Sequence, residues 1–176
     1  SLRLEGGMKQ VSFSVPTGNF GDIYAGYIAH KMGLPINQLI IATNANDILH
    51  RCIVANDHTR KPLKRTLAPS MDIMVSSNFE RLLFDLYDCD GEAVGHLMSD
   101  AKTGKMSLND SAIIELRKLF FSYGCDDNTL VSVISSVYRD SGYLIDPHTA
   151  IGLAAARQRR VCADTPMVAL ATAHPA

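Results

Sequence analysis

The residues whose types and spacing could do chemistry are Gly18, Asn19, Phe20, Gly21 and Asp22. Two glycines let the backbone turn tightly, and a helix that starts at such a turn offers unpaired N–H groups and the positive end of its dipole. That combination suits a bound phosphate. The donors would be mainly backbone N–H groups, with the side-chain amide of Asn19 as a further one. The Asp22 carboxylate would repel phosphate at close range, so its contribution should come from its N–H while the side chain caps the helix or turns aside. The spacing departs from both G-x-G-x-x-G and G-x-x-x-x-G-K-[ST], which disfavours a nucleotide site. A plain structural turn is the competing reading of any two-glycine motif.

The elements that must position this turn follow from the flanking pattern. Residues 11–15 alternate Val, Phe and Val as a strand does, and residues 23–32 read as an amphipathic helix that Gly33 and Pro35 terminate. Residues 39–42 supply a second strand, so the unit should be parallel with a right-handed crossover. Asn44 to Asp47 lead into a short helix over residues 48–54, with Asn or Asp available as its cap, which also accounts for Asn46 and Asp47. The run containing His58, Arg60, Lys61, Lys64 and Arg65 reads as a solvated loop in preference to a phosphate-recognition patch.

Ser77 and Glu80 have capping-box spacing, and Phe79, Leu82, Leu83 and Leu86 follow a core-facing stripe. With helices over residues 92–98 and 110–116, separated by a turn-rich stretch at 99–107, this suggests a helical insertion over about residues 77–117. Residues 118–123 read as a buried strand. The next helix starts near Asp126 or Asp127, places Val131, Ile134, Val137 and Tyr138 on one face and ends at Gly142. Asp146-Pro147 pairs an N-cap with proline at the first helical position, so residues 148–159 should be helical, with Arg157, Arg159 and Arg160 at the negative end. Residues 167–171 form the last strand, and residues 172–176 lie at its carboxyl end. Residues 18–22 lie at the carboxyl end of the first strand, and open α/β sheets bind ligands at that end. The expected fold is α/β: a three-layer, open, mainly parallel sheet flanked by helices. Residues 1–10 read as a helix remnant or tag.

Composition narrows the function. A chain of 176 residues, 47% hydrophobic and 20% charged, can bury one sizeable core. A formal net charge of -1 gives no reason to expect nucleic acid or an anionic membrane as partner. No apolar run reaches the roughly 20 residues of a membrane helix, and the first residues lack the apolar middle of a signal peptide, so cytoplasm is the expected location. Cys52, Cys89, Cys125 and Cys162 are far apart, without zinc-site spacing, and read as free thiols.

VPTGNFGD followed by AGYIAHKMGLPI, then LIIATNANDILHR, TLAPSMDI with SSNFERLLFDLY, GYLIDPHTAIG and the closing ATAHPA resemble the threonine synthase family. These are pyridoxal-phosphate enzymes of the tryptophan-synthase-β structural group. The matches keep the family's order from Val11 to Ala176. The family's Schiff-base lysine, in a Ser-Phe-Lys-Asp motif, has no counterpart here, so the resemblance is to a C-terminal part, within the large domain. It implies that Gly18, Asn19, Phe20, Gly21 and Asp22 hold the phosphate of pyridoxal phosphate and that the Thr172 hydroxyl faces its ring nitrogen. The implied parent converts O-phosphohomoserine and water to L-threonine and phosphate. The fragment alone would be inactive, would lack its N-terminal partner region and would self-associate through faces left uncovered. His174 and His148 read as structural, the latter as part of a helix start. Two alternatives stand beside this: another pyridoxal-phosphate lyase or dehydratase of the group, or a non-catalytic module that binds a phosphorylated ligand or packs on a partner.

Overall fold

The computed structural model of the chain describes residues 3, 4 and 7–175. In chain order the elements are β1 (Arg3–Leu4), β2 (Gly7–Met8), β3 (Val11–Pro16), α1 (Gly21–Lys31), β4 (Ile36–Thr43), α2 (Ile48–Ala55), α3 (Phe79–Leu86), α4 (Gly91–Thr103), α5 (Asp110–Leu119), β5 (Phe120–Gly124), α6 (Asp127–Ser141), α7 (Pro147–Arg159) and β6 (Met167–Ala169). A single 3-10 turn, Pro69–Met71, lies between α2 and α3. Four strands pair in parallel in the order β5-β4-β3-β6. Helices cover both faces, which gives the three-layer α/β architecture.

The central strand β4 shows why both faces must be covered. Leu39 and Ile41 point into a core shared with residues of α2, α3 and α5, while Ile40 and Ala42 point into a second core formed with α6 and α7. All four are fully buried, as expected of a strand inside a parallel sheet. On β3 the alternation is chemical as well. Val11, Phe13 and Val15 face the first core, whereas Ser14 faces α7 and its hydroxyl donates to the Gly152 carbonyl at 2.6 Å. A Cβ on Gly152 would stand 3.1 Å from Cγ and Cδ of Pro16, so the absence of a side chain lets α7 lie close against the end of β3.

Several local expectations change. Residues 3–4 and 7–8 pair as antiparallel strands, not as a helix remnant, while residues 1, 2, 5 and 6 lie outside the described residues. The helix expected to stop at residue 98 runs on to Thr103, where Gly104 caps it in a left-handed conformation. On α6 the inward residues are Leu130 and Val133, with Ile134 and Val137 packed beside them; Val131 and Tyr138 are exposed. The Ser77–Glu80 capping box does not form: Asn78 is the N-cap of α3 and makes no side-chain cap. β6 is shorter than expected and ends at Ala169.

Candidate functional site

At the carboxyl end of β3 the chain leaves the sheet with two fixed bonds: the Thr17 N–H donates to the Ala42 carbonyl at 2.7 Å, and its hydroxyl to the Val15 carbonyl at 2.6 Å. The left-handed residue of the turn is Phe20, with φ 66°, whereas Gly18 and Gly21 keep negative φ. This corrects the expectation that the glycines supply the turn. The Phe20 ring explains why a bulky residue holds that conformation: it is 1% exposed and packs edge-on against Phe79, 5.1 Å between centroids, and against Phe120. Phe20 can therefore offer a ligand its backbone only.

The carbonyls of the turn are drawn backwards. Ser76 Oγ donates to Gly18 O at 2.9 Å, while Asn78 donates to Asn19 O from its N–H at 3.1 Å and its side-chain amide at 2.8 Å. The Tyr24 N–H bonds to Phe20 O, closing the first helical turn. The N–H groups of Gly21, Asp22 and Ile23 precede it and have no carbonyl within α1 to receive them. Asp22 does not cap α1 through its side chain. A Cβ on Gly21 would meet only Asn78 Nδ2, at 3.8 Å. The result is a cavity of about 220 Å³ lined by residues 15–23, with the positive end of the α1 dipole beside it.

A second cavity of about 220 Å³ adjoins it. Gly18, Asn19 and Asp22 line one side, and Thr172 and Ala173, beyond the end of β6, line another. Sequence reasoning missed the remaining wall, made by Ser70, Met71 and His148. Ser70 and Met71 sit on the 3-10 turn, which the Asp72 carboxylate secures. Its Oδ1 accepts from Thr66 Oγ1 and Asn44 Nδ2, each at 2.7 Å, and from Asn46 Nδ2 at 2.9 Å; its Oδ2 accepts from the Thr66 N–H. Asn46 is thus a clamp on this loop and not the cap of α2; Asp47, the N-cap residue, uses its carboxylate on Arg51 instead. His148 stands in the first turn of α7, capped by Asp146 through the N–H groups of His148 and Thr149. Burial raises the Asp146 carboxyl, but the hydrogen bonds from Thr149 and His148 outweigh it and hold the group below the usual carboxylate range.

Thus Gly18, Asn19, Asp22 and Thr172 share one cavity, while Phe20 and Gly21 line only the cradle. Among the described residues no lysine or arginine lines either cavity. A phosphate here would rely on backbone donors and the helix dipole, for which the retracted carbonyls and the open space over Gly21 are suited. The donor set fits the phosphate of a cofactor, and the neighbouring cavity can take an aromatic ring. His174 is exposed and lines neither cavity. Among the described residues there is no group of three or more His, Cys, Asp or Glu that could hold a metal, and no helix long and apolar enough to cross a membrane.

No protein-family model matches the chain. A threonine synthase of Pseudomonas aeruginosa is 55% identical over 176 residues, which covers 99% of this chain. This chain is homologous to one part of the threonine synthases. The likeness holds in three dimensions: the pyridoxal-phosphate-bound threonine synthase of Brucella melitensis superposes with a TM-score of 0.93 at 47% identity, over 98% of this chain and 37% of that one. The yeast threonine synthase gives 0.89 at 40% identity, over 94% and 36%. A fungal L-serine ammonia-lyase from Rhizomucor miehei, at 12% identity and a TM-score of 0.52 over 92% and 44%, shares the fold alone. The chain spans 38% of the length of the Pseudomonas threonine synthase.

Proposed function

We propose that this chain is the cofactor-holding part of a pyridoxal-phosphate-dependent threonine synthase, a lyase of threonine biosynthesis that converts O-phosphohomoserine and water to L-threonine and phosphate in the cytoplasm. The observation that carries the reading is the meeting of the α1 N-terminus and Thr172 at adjoining cavities, in a chain whose likeness to threonine synthases runs over nearly its whole length. Bound pyridoxal phosphate supplies an electron sink. The chain's own residues would hold it: the N–H groups of Gly21, Asp22 and Ile23, with Asn19, at the phosphate, and the Thr172 hydroxyl at the ring nitrogen.

The covalent lysine would come from the additional length that the relatives possess, since among the described residues no lysine lines either cavity. The isolated chain should therefore be inactive, and borohydride should fix no cofactor to it. The apolar groove of about 230 Å³ beside α1, with Phe13, Val15, Leu39 and Leu170 in its walls, is a surface that this further length would cover and through which the isolated chain would self-associate.

In the full-length protein, Gly21→Val should weaken pyridoxal-phosphate binding at least tenfold, because a branched side chain would occupy space that the phosphate needs. Its melting temperature should change little, as a Cβ there meets nothing closer than 3.8 Å. Cofactor affinity is read by fluorescence titration. Unchanged affinity would remove the cradle assignment.

A further inference from the structure

The Phe20 ring fixes where the turn at residues 17–22 sits, but not how the peptide planes ahead of it are rotated. Gly18 carries no Cβ, so the peptide between Gly18 and Asn19 can turn over at little steric cost. That rotation matters to a bound anion. Among the described residues no peptide bond is cis, and in a trans peptide the carbonyl and the N–H point in opposite directions. A carbonyl turned into the cradle would set an acceptor against the phosphate and take the next N–H out of reach. Two side chains at the entry to α3 oppose this. Ser76, 5% exposed, spends its hydroxyl proton on Gly18 O at 2.9 Å, and the Asn78 amide donates to Asn19 O at 2.8 Å. Neither residue lines the cradle cavity. The Asn78 amide does not serve its own helix either, since Asn78 is the N-cap residue of α3 and makes no side-chain cap.

We propose that Ser76 and Asn78 are positioning residues of this site: through the carbonyls of Gly18 and Asn19 they hold two peptide planes with their N–H groups toward the cofactor phosphate. This rests on the reading of the site as one for pyridoxal phosphate. With both carbonyls drawn back, the Asn19 and Phe20 N–H groups point the other way and join those of Gly21, Asp22 and Ile23. Among the described residues none of these N–H groups has an acceptor. The left-handed Phe20 followed by helical Gly21 curves the run into the kind of concave nest in which successive backbone N–H groups bind an anion. In a cradle that no lysine or arginine among the described residues lines, the orientation of these peptides decides how many donors a phosphate meets.

The test uses the full-length protein with Ser76→Ala, with Ser76→Thr, which keeps the hydroxyl, and with Asn78→Leu, which has the shape of the amide without its donors. Pyridoxal phosphate, inorganic phosphate and pyridoxal, the same ring without the phosphate, are titrated separately, and the phosphorus resonance of the bound cofactor is recorded. Each lost bond lowers the share of turns in the competent orientation, which weakens apparent affinity by the same factor. The expected result is an affinity for pyridoxal phosphate and for inorganic phosphate about fivefold weaker in Ser76→Ala and in Asn78→Leu. Affinity for pyridoxal should be unchanged, the phosphorus resonance displaced, and Ser76→Thr close to wild type in every measurement. Unchanged affinity for pyridoxal phosphate in either variant would overturn the proposal for that residue. An equal loss of pyridoxal phosphate and pyridoxal, the mark of a site that is only destabilised, would overturn it for both. Either result leaves the cofactor reading standing. A wild type that binds no pyridoxal phosphate would overturn that reading and this proposal with it. Should Asn78→Leu fail to fold, Ser76→Ala against Ser76→Thr decides.

Discussion

Two segments meet across the site, and they are held by opposite means. The turn at residues 17–22 is anchored by an apolar side chain: Phe20 lies in the core against Phe79 and Phe120 while its backbone starts α1. The segment at residues 57–75 has no regular structure beyond one 3-10 turn and, although Ala68 and Met71 reach the second core, is pinned mainly by polar side chains. Asp72 gathers Asn44, Asn46 and Thr66, and Arg51 fixes its start by donating to Asp57 and to the Thr59 carbonyl. Apolar anchoring ties the geometry of the turn to the stability of the whole core. Polar anchoring lets the facing wall open by itself, because its bonds can be lost while the sheet stays intact. Site geometry should therefore fail in two distinguishable ways.

The largest effect is expected at Phe20. Phe20→Ala removes a buried aromatic from the first core and should cost about 4 kcal/mol of global stability, seen as a lower urea midpoint with faster amide exchange in β3 and β4 together. Asp72→Ala should come next, at about 3 kcal/mol, since it leaves buried amide and hydroxyl donors unpaired. Its signature should be local: faster exchange over residues 64–72 with β3 and β4 protected as before. Equal loss of protection in both places would break the contrast between the two anchors.

His58 gives the smallest and most specific effect. It belongs to the polar-anchored segment yet is buried with its ring stacked on Phe79, so it joins the two regions. Burial, with the Arg51 and Arg60 charges nearby, pushes its imidazole from 6.5 down to about 4. The unfolded chain then takes up the proton first. Stability is therefore full above pH 6.5 and declines as pH falls toward 4, by about 2 kcal/mol between pH 8 and pH 5. Burial lowers His50 as well, so it adds to the same window. Asp57, Asp85 and Asp146 are held below the usual carboxylate range and lose their contributions only at lower pH. Urea midpoints measured against pH for wild type and His58→Phe should diverge in slope between pH 6.5 and 5. Parallel curves would remove His58 from the join.

The sequence by itself determined the elements whose signals lie within a few residues of one another. The alternation in β3, the stop at Gly33, the left-handed cap at Gly142 and the Asp146-Pro147 helix start all appear where expected, because capping, turn conformation and side-chain period are local physics. That residues 18–22 and 172 lie beyond the carboxyl ends of their strands was legible from their place in the chain, and Gly18, Asn19, Asp22 and Thr172 reach the same cavity. Tertiary structure alone decided what surrounds them. Ser77 and Glu80 spell a capping box, yet the Asn78 amide is spent on the Asn19 carbonyl, 59 residues away in the chain. Asn46 looks like a cap and serves Asp72, 26 residues on. Phe20 takes the left-handed conformation beside two glycines because its ring has a place in the core. His148 reads as the start of a helix, which it is, and only the packing of α7 on β3 through Gly152 brings its ring to a cavity opened 130 residues earlier. Contacts of that separation depend on which faces the sheet buries, a choice made by the whole core at once and invisible in any short window of the chain.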